Sequence, residues 1–191
     1  MMSRVILIIT LLSLLQGCAA VIVGAGAVGV KAATDRRTIG TQLDDQALEV
    51  KVSNRIGDAP ELEGARVEVV AYNEAILLVG QVPSDALRAE AERLAREVRG
   101  IDKVFNQLRV GSAIGIGTIT ADSWITSKVK TRLLSEDQID GSQIKVVTEN
   151  GEVFLLGLVK PGEAQRAIDI TRNINGVKQV INALTVDRDL D

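Results

Sequence analysis

The sequence predicts an α+β fold built from two tandem modules, each running α-β-β-α-β, with a three-stranded mixed sheet covered by two helices. Three observations predict it. The chain repeats itself, residues 45–82 matching 122–159 at an offset of 77, as in Asp45/Asp122, Lys51/Lys128, Val69/Val146 and Gly80/Gly157. Further on the offset becomes 76, which pairs Gly100/Gly176, Asn106/Asn182 and Leu108/Leu184. Within each copy a helical apolar period gives way to strand alternation, and Asn150-Gly151 sits between two such segments as a favoured type I′ hairpin dipeptide.

Each copy reads the same way. In the first, residues 41–110, a helix with the apolar stripe Leu48, Val52 and Ile56 comes first. The alternating run 67–70, a turn at Asn73-Glu74 and the return strand 76–82 follow. A second helix starts after Ser84, a suitable N-cap, and runs to Arg99, with Gly100 in the place of a C-terminal glycine. A third strand closes the module at 103–110. The second copy, residues 118–186, repeats this with a return strand at 153–159, a helix ending at Gly176 and a last strand at 178–186. Modules of about 70 residues have limited cores, so docking of one on the other would stabilise both. The connector 111–117 is glycine-rich and short, compatible with a packed or a loose pair, and the acidic tail 187–191 reads as frayed and solvated.

The amino-terminal segment has a different character. Arg4 precedes an apolar run to Leu15, and Gln16-Gly17-Cys18 completes the layout of a secretory signal over residues 1–17. Leu15-Gln16-Gly17-Cys18 looks like a bacterial lipobox, which implies cleavage before Cys18, acyl and diacylglycerol groups on that residue, and durable anchoring. Ala19, where a retained inner-membrane lipoprotein would show Asp, implies sorting to the outer membrane. The alternative is an uncleaved spanning helix, since no charge falls between Arg4 and Lys31. Residues 18–40 read as a lipidated tether. Gly24, Gly26 and Gly29 satisfy a dinucleotide-binding pattern, with Asp44 at a ribose-binding distance, but the residues around Asp44 open a helix where a second strand is required, so no nucleotide site is expected.

Composition removes most chemistry. The chain has 191 residues, no histidine and one cysteine, so no Ser-His or Cys-His pair and no ordinary zinc site can form. The acidic clusters Asp58, Glu61, Glu63 and Glu136, Asp137, Asp140 lack the spacing of a calcium loop. A net charge of −3 with no basic stripe argues against nucleic acid. The sequence therefore reads as non-enzymatic, with no cofactor beyond the groups on Cys18.

The working surface falls on the first helix of the second copy. Ile125, Val129 and Leu133 form its core stripe, while Trp124, the single tryptophan, lies above Ser127, Lys128 and Thr131, with Arg132 at the border. An aromatic ring beside cations on an exposed face suits a membrane interface. The alternative is that Trp124 caps the core edge. The first copy has Ala47, Val50 and Asn54 where the second has Trp124, Ser127 and Thr131, so these three are not demanded by the shared fold. Lys51 and Arg55 do match Lys128 and Arg132. Residues 41–110 carry 9 Lys/Arg against 13 Asp/Glu, whereas 118–186 carry 8 of each, so the second module is the one less repelled by an anionic surface. Lys130 points away from Trp124 and reads as solvated.

The module resembles the BON domain, a periplasmic family, in its Val-x-Gly-like strand ends Leu78-Val79-Gly80 and Leu156-Gly157 and in Gly100-Ile101 and Gly176-Val177 before the last strand. With the lipobox and two copies, the chain is similar to outer-membrane lipoproteins with two BON domains. That resemblance implies binding of anionic phospholipid through the first helix of the second module, Trp124 included, with enrichment at division sites and support of outer-membrane integrity. The rival expectation is a protein adaptor, using the same surface or the first module's sheet to bind an outer-membrane assembly machine.

Overall fold

The computed structural model describes residues 35–190. The signal segment 1–17, Cys18 and the glycine run Gly24, Gly26 and Gly29 lie outside the described residues, as does Asp191. The elements are α1 (Ile39–Gly57), β1 (Arg66–Tyr72), β2 (Ala75–Val82), α2 (Asp85–Arg96), β3 (Lys103–Val110), α3 (Ile116–Leu134), β4 (Ile144–Glu149), β5 (Glu152–Val159), α4 (Glu163–Arg172) and β6 (Gln179–Val186). This is α-β-β-α-β twice over. In each module the hairpin strands pair antiparallel and the third strand pairs parallel to the second, which leaves β2 and β5 in the middle. Helix α3 starts two residues inside the expected connector, and α2 ends at Arg96, the chain turning through Gly100 at φ +95°.

The hairpins turn through two residues of positive φ, Asn73 (49°) and Glu74 (63°) in one copy, Asn150 (51°) and Gly151 (79°) in the other, the geometry of a type I′ turn. The left-handed conformation is unfavourable for Glu74, and the structure compensates from the preceding helix. The Asp45 carboxylate, 3% exposed, accepts from the amides of Asn73 and Glu74 at 2.7 and 2.8 Å. Asp122 does the same for Asn150 and Gly151 at the same two distances. The repeated aspartate is therefore a structural clip between helix and hairpin.

Alternation along the strands divides the core into three layers of side chains. Val69, Ala71, Ile76, Leu78 and Val82 meet Leu48, Val52, Ile56, Ala91 and Leu94 of α1 and α2. Val146, Val153, Leu155 and Val159 meet Ile125, Val129, Leu133 and Ala167 of α3 and α4. The opposite faces meet each other, Val70, Tyr72, Leu77 and Val79 packing with Val147, Phe154 and Leu156. The two sheets thus stack face to face with a helical layer outside each, which explains why β2 and β5 are apolar on both faces. Burying the inner faces joins two small cores into one body over the described residues.

One expectation is corrected. Residues up to Gly40 read as a tether, yet Asp35, Arg36 and Arg37 are held by both modules. The Arg36 guanidinium donates to both Glu163 carboxylate oxygens at 2.7 and 3.1 Å and to the Leu158 carbonyl at 2.9 Å, while its amide donates to Gln143 Oε1 at 2.9 Å. Arg37 pairs with Asp35 and Asp45 and lies 4.0 Å above the Tyr72 ring. Two arginines after a small-residue run look solvated because the carboxylate that fixes Arg36 is 127 residues away.

Candidate functional site

Helix α3 is anchored by Ile125, Val129 and Leu133, all buried, which turns the opposite side to solvent. Along that outer side lie Ile116, Thr120, Trp124, Ser127, Thr131 and Leu134, spaced by three or four residues so that they form one row. Ile116 is 84% exposed, Trp124 68% and Leu134 64%, so Trp124 does not cap the core edge. No acidic side chain interrupts the row, and the helix's one carboxylate, Asp122, is buried beneath the hairpin.

The hydroxyls of this surface are already satisfied. Thr120, Ser123, Ser127 and Thr131 each donate to the carbonyl four residues earlier, on Ile116, Ile119, Ser123 and Ser127, at 2.9, 3.0, 2.9 and 2.9 Å. A hydroxyl bonded back onto its own helix loses little when water is removed, because no donor is stranded. The face is therefore one of aliphatic ends, an indole and self-satisfied hydroxyls.

Its cations differ in availability. The Lys128 ammonium donates to the Asn175 carbonyl at 2.5 Å, in the turn after α4, so part of its role is to hold that turn beside Gly176. Arg132 is exposed and makes no ion pair or side-chain hydrogen bond among the described residues. The first copy explains why. There the equivalent Arg55 pairs with Glu97, which also takes Arg93, whereas the residue equivalent to Glu97 in the second copy is Asn173. The substitution leaves a guanidinium at the edge of the Trp124 face with its five donors open to a ligand. Lys130 lies on the other flank and lines a cleft between the modules of about 500 Å³. The remaining charges of that cleft are engaged as well, Arg66 with Glu149 and Glu68, Lys145 with Glu49, and Asp122 with the hairpin amides.

Of the residues named from sequence, the structure brings Trp124, Ser127 and Thr131 onto one row, puts Arg132 and Lys128 along its side, and gives Lys128 a structural duty as well. Sequence reasoning did not include Ile116, Thr120 and Leu134, although the same three-and-four spacing that relates Trp124 to Ser127 reaches them. In the second acidic cluster Glu136 pairs with Arg166, and Asp140 accepts from the amide and hydroxyl of Ser142.

The model of the BON domain matches residues 44–112 and 121–188, one match on each module. The chain belongs to the BON-domain family. Among similar proteins, the "Outer membrane lipoprotein DolP" of Haemophilus influenzae is 45% identical over 168 residues, 87% of this chain and 87% of that one. A "21 kDa hemolysin" of Actinobacillus pleuropneumoniae is 42% identical over 78% of each chain. The "Osmotically-inducible protein Y" of Escherichia coli is 30% identical, covering 82% of this chain and 79% of that one. The BON family thus accounts for both modules, and the α3 row lies within the second BON match from Trp124 to Leu134, with Ile116 and Thr120 just ahead of it. Among the described residues no helix is long and apolar enough to cross a membrane.

Proposed function

We propose that this protein is a non-enzymatic lipoprotein of the outer membrane, facing the periplasm and anchored through acyl groups on Cys18, whose second BON module docks on anionic phospholipid through α3. The outer-membrane lipoprotein of Haemophilus influenzae, similar along 87% of the chain, supports the anchoring and the location. The observation that carries the docking is the row Ile116, Trp124 and Leu134 with its self-satisfied hydroxyls, flanked by an Arg132 that has lost the carboxylate its counterpart keeps. The indole and aliphatic ends settle at the depth of the headgroups, and Arg132 and Lys128 meet phosphates, each cation contributing on the order of 1 kcal/mol near an anionic leaflet. The resemblance to lipoproteins with two BON domains extends the role to outer-membrane integrity, exercised at division sites.

The single tryptophan reports the docking. Vesicles of phosphatidylglycerol are expected to shift its emission to the blue, and vesicles of phosphatidylcholine to leave it unchanged. Replacing Trp124 by Ala is expected to weaken vesicle binding about tenfold or more, from the apolar area withdrawn from the interface. Equal shifts with both lipids, or binding indifferent to the substitution, would defeat the proposal.

A second reading as an adaptor draws on a different row. Ile39, Leu43 and Val50 are 61%, 60% and 54% exposed on α1, where the equivalents of the last two are Thr120 and Ser127. An apolar row on the helical layer opposite α3 suits a protein partner such as an outer-membrane assembly machine. The first module's sheet has its inner face buried against the second sheet and its outer face under α1 and α2, so a partner there would have to use its open edge.

A further inference from the structure

Four sheet edges have to be managed in a fold of two three-stranded sheets. The outer edge of β1 is covered: Glu49 accepts from the Ala71 amide at 3.0 Å, and Lys145 of the other module donates to the Ala71 carbonyl at 3.4 Å. Among the described residues the outer edges of β3 and β6 have no such cover. In β6 the direction of each amide follows from the end of the strand. The Asp187 amide donates inward to Val159 at 2.9 Å, so the amides of residues 185, 183 and 181 also point inward, and those of Val180, Asn182, Leu184 and Val186 point outward. The same counting from Gly111, whose amide donates to Val82 at 2.9 Å, turns Val104, Asn106, Leu108 and Val110 outward in β3.

Both edges are interrupted at the same place by the same residue. Asn106 Oδ1 accepts from the Leu108 amide at 3.2 Å, and Asn182 Oδ1 accepts from the Leu184 amide at 3.0 Å. Each asparagine thus occupies the central outward donor of its edge. The need is greatest at β6. Gln179-Val-Ile-Asn-Ala-Leu-Thr-Val186 carries no charge and no proline and is rich in β-branched residues, so the usual protections of an edge strand are missing, and its last residue is 47% exposed. Strand β3 has Lys103 and Arg109 besides.

We infer that the outer edge of β6 is a latent strand-docking surface that fits the same edge of a second copy of this chain, and that Asn182 holds it shut. An uncharged edge of eight residues matches itself without electrostatic penalty, which is why the partner is another copy. The asparagine takes the amide that a docking strand would need first. It therefore keeps the second module from pairing through its open side.

Asn182 tests this cleanly, because it is exposed and, among the described residues, its side chain bonds to the Leu184 amide. In the full chain, Asn182→Val is expected to leave the melting temperature nearly unchanged and to convert a monomer into a species that dimerises with rising concentration in sedimentation. Hydrogen exchange at the Leu184 amide is expected to slow at least tenfold as the dimer forms. Asn182→Asp, which keeps the acceptor oxygen, is expected to stay monomeric with Leu184 as protected as in the unsubstituted chain. A monomeric Asn182→Val chain would overturn the inference, as would a dimer in which the Leu184 amide gains no protection.

Discussion

Tyr72 and Glu149 stand at the same place in the two copies, 77 residues apart at the ends of β1 and β4, and each reaches into the other module at equivalent positions. The Tyr72 hydroxyl donates to the Gln143 carbonyl and accepts from the Leu158 amide, both at 3.3 Å. Glu149 accepts from Arg66 at 3.2 and 3.1 Å and from the Gln81 side chain at 2.8 Å. Arg66 and Gln81 are the counterparts of Gln143 and Leu158 at the same offset, so the modules meet as the two halves of a two-fold dimer would, through one patch used twice. The chemistry has since diverged, a phenol on one side and a carboxylate on the other.

That divergence sets unequal costs. Tyr72→Phe removes two long hydrogen bonds and is expected to cost about 1 kcal/mol. Glu149→Ala leaves the Arg66 guanidinium and the Gln81 amide without their acceptor in a place where the Glu149 side chain is 5% exposed, and is expected to cost about 3 kcal/mol. Denaturant midpoints of the two variants measure the difference, and equal costs would contradict it.

The clasp between Arg36 and Glu163 makes stability depend on acid. Burial alone would raise the Glu163 carboxyl, but the Arg36 guanidinium and the amides of Lys160 and Asp140 outweigh it and bring it down to about 2 from an ordinary 4.5. A carboxylate depressed in the folded state contributes fully above its unfolded value and loses that contribution as pH falls through its folded value. Roughly 3 kcal/mol should therefore disappear between about pH 5 and pH 2. Glu163→Gln should be less stable at neutral pH and show a flatter decline across that window, as followed by urea unfolding.

Asn173→Glu would restore in the second module the acid that the first keeps at Glu97. The new carboxylate is expected to engage Arg132 as Glu97 engages Arg55 and to leave the melting temperature within a degree or two. Binding to phosphatidylglycerol vesicles is expected to fall about fivefold to tenfold, from the loss of one free cation and the gain of one anion near the surface. Vesicle co-sedimentation at low and high salt reads the change, and unaltered binding would remove Arg132 from the docking surface.

Gly80 sits in the middle strand at φ +127°, where an added Cβ would stand 2.0 Å from the Arg66 carbonyl oxygen of the neighbouring strand. Gly80→Ala should therefore cost about 3 kcal/mol or more through backbone strain and strand separation. Thermal unfolding checks this, with Gly64→Ala as a comparison at a positive φ where nothing lies near the added carbon.

The element order, the hairpins and the two apolar helix stripes were legible in the sequence because each rests on short-range periodicity, which a duplicated chain displays twice. The comparison of copies also isolated Trp124, since Ala47 shows that the fold does not require an indole there. Lys128 is where the same comparison stopped short: its match to Lys51 suggested a shared duty, yet only the structure shows the ammonium on the Asn175 carbonyl.

What the sequence by itself determined about this protein is local: the repeated α-β-β-α-β order, the type I′ turn at Asn150-Gly151, and the helix that carries Trp124. The tertiary structure decided everything that depends on groups distant in the chain. It buried the inner faces of both sheets against each other, recruited Arg36 out of an apparent tether to meet Glu163, left Arg132 without an ion pair among the described residues because Asn173 replaces an acid 41 residues further on, and turned Asn182 onto the edge of its own strand. Periodicity fixes which side of an element is apolar, but not what that side will meet. Pairing of charges and closure of edges are settled only when distant segments come within hydrogen-bonding distance.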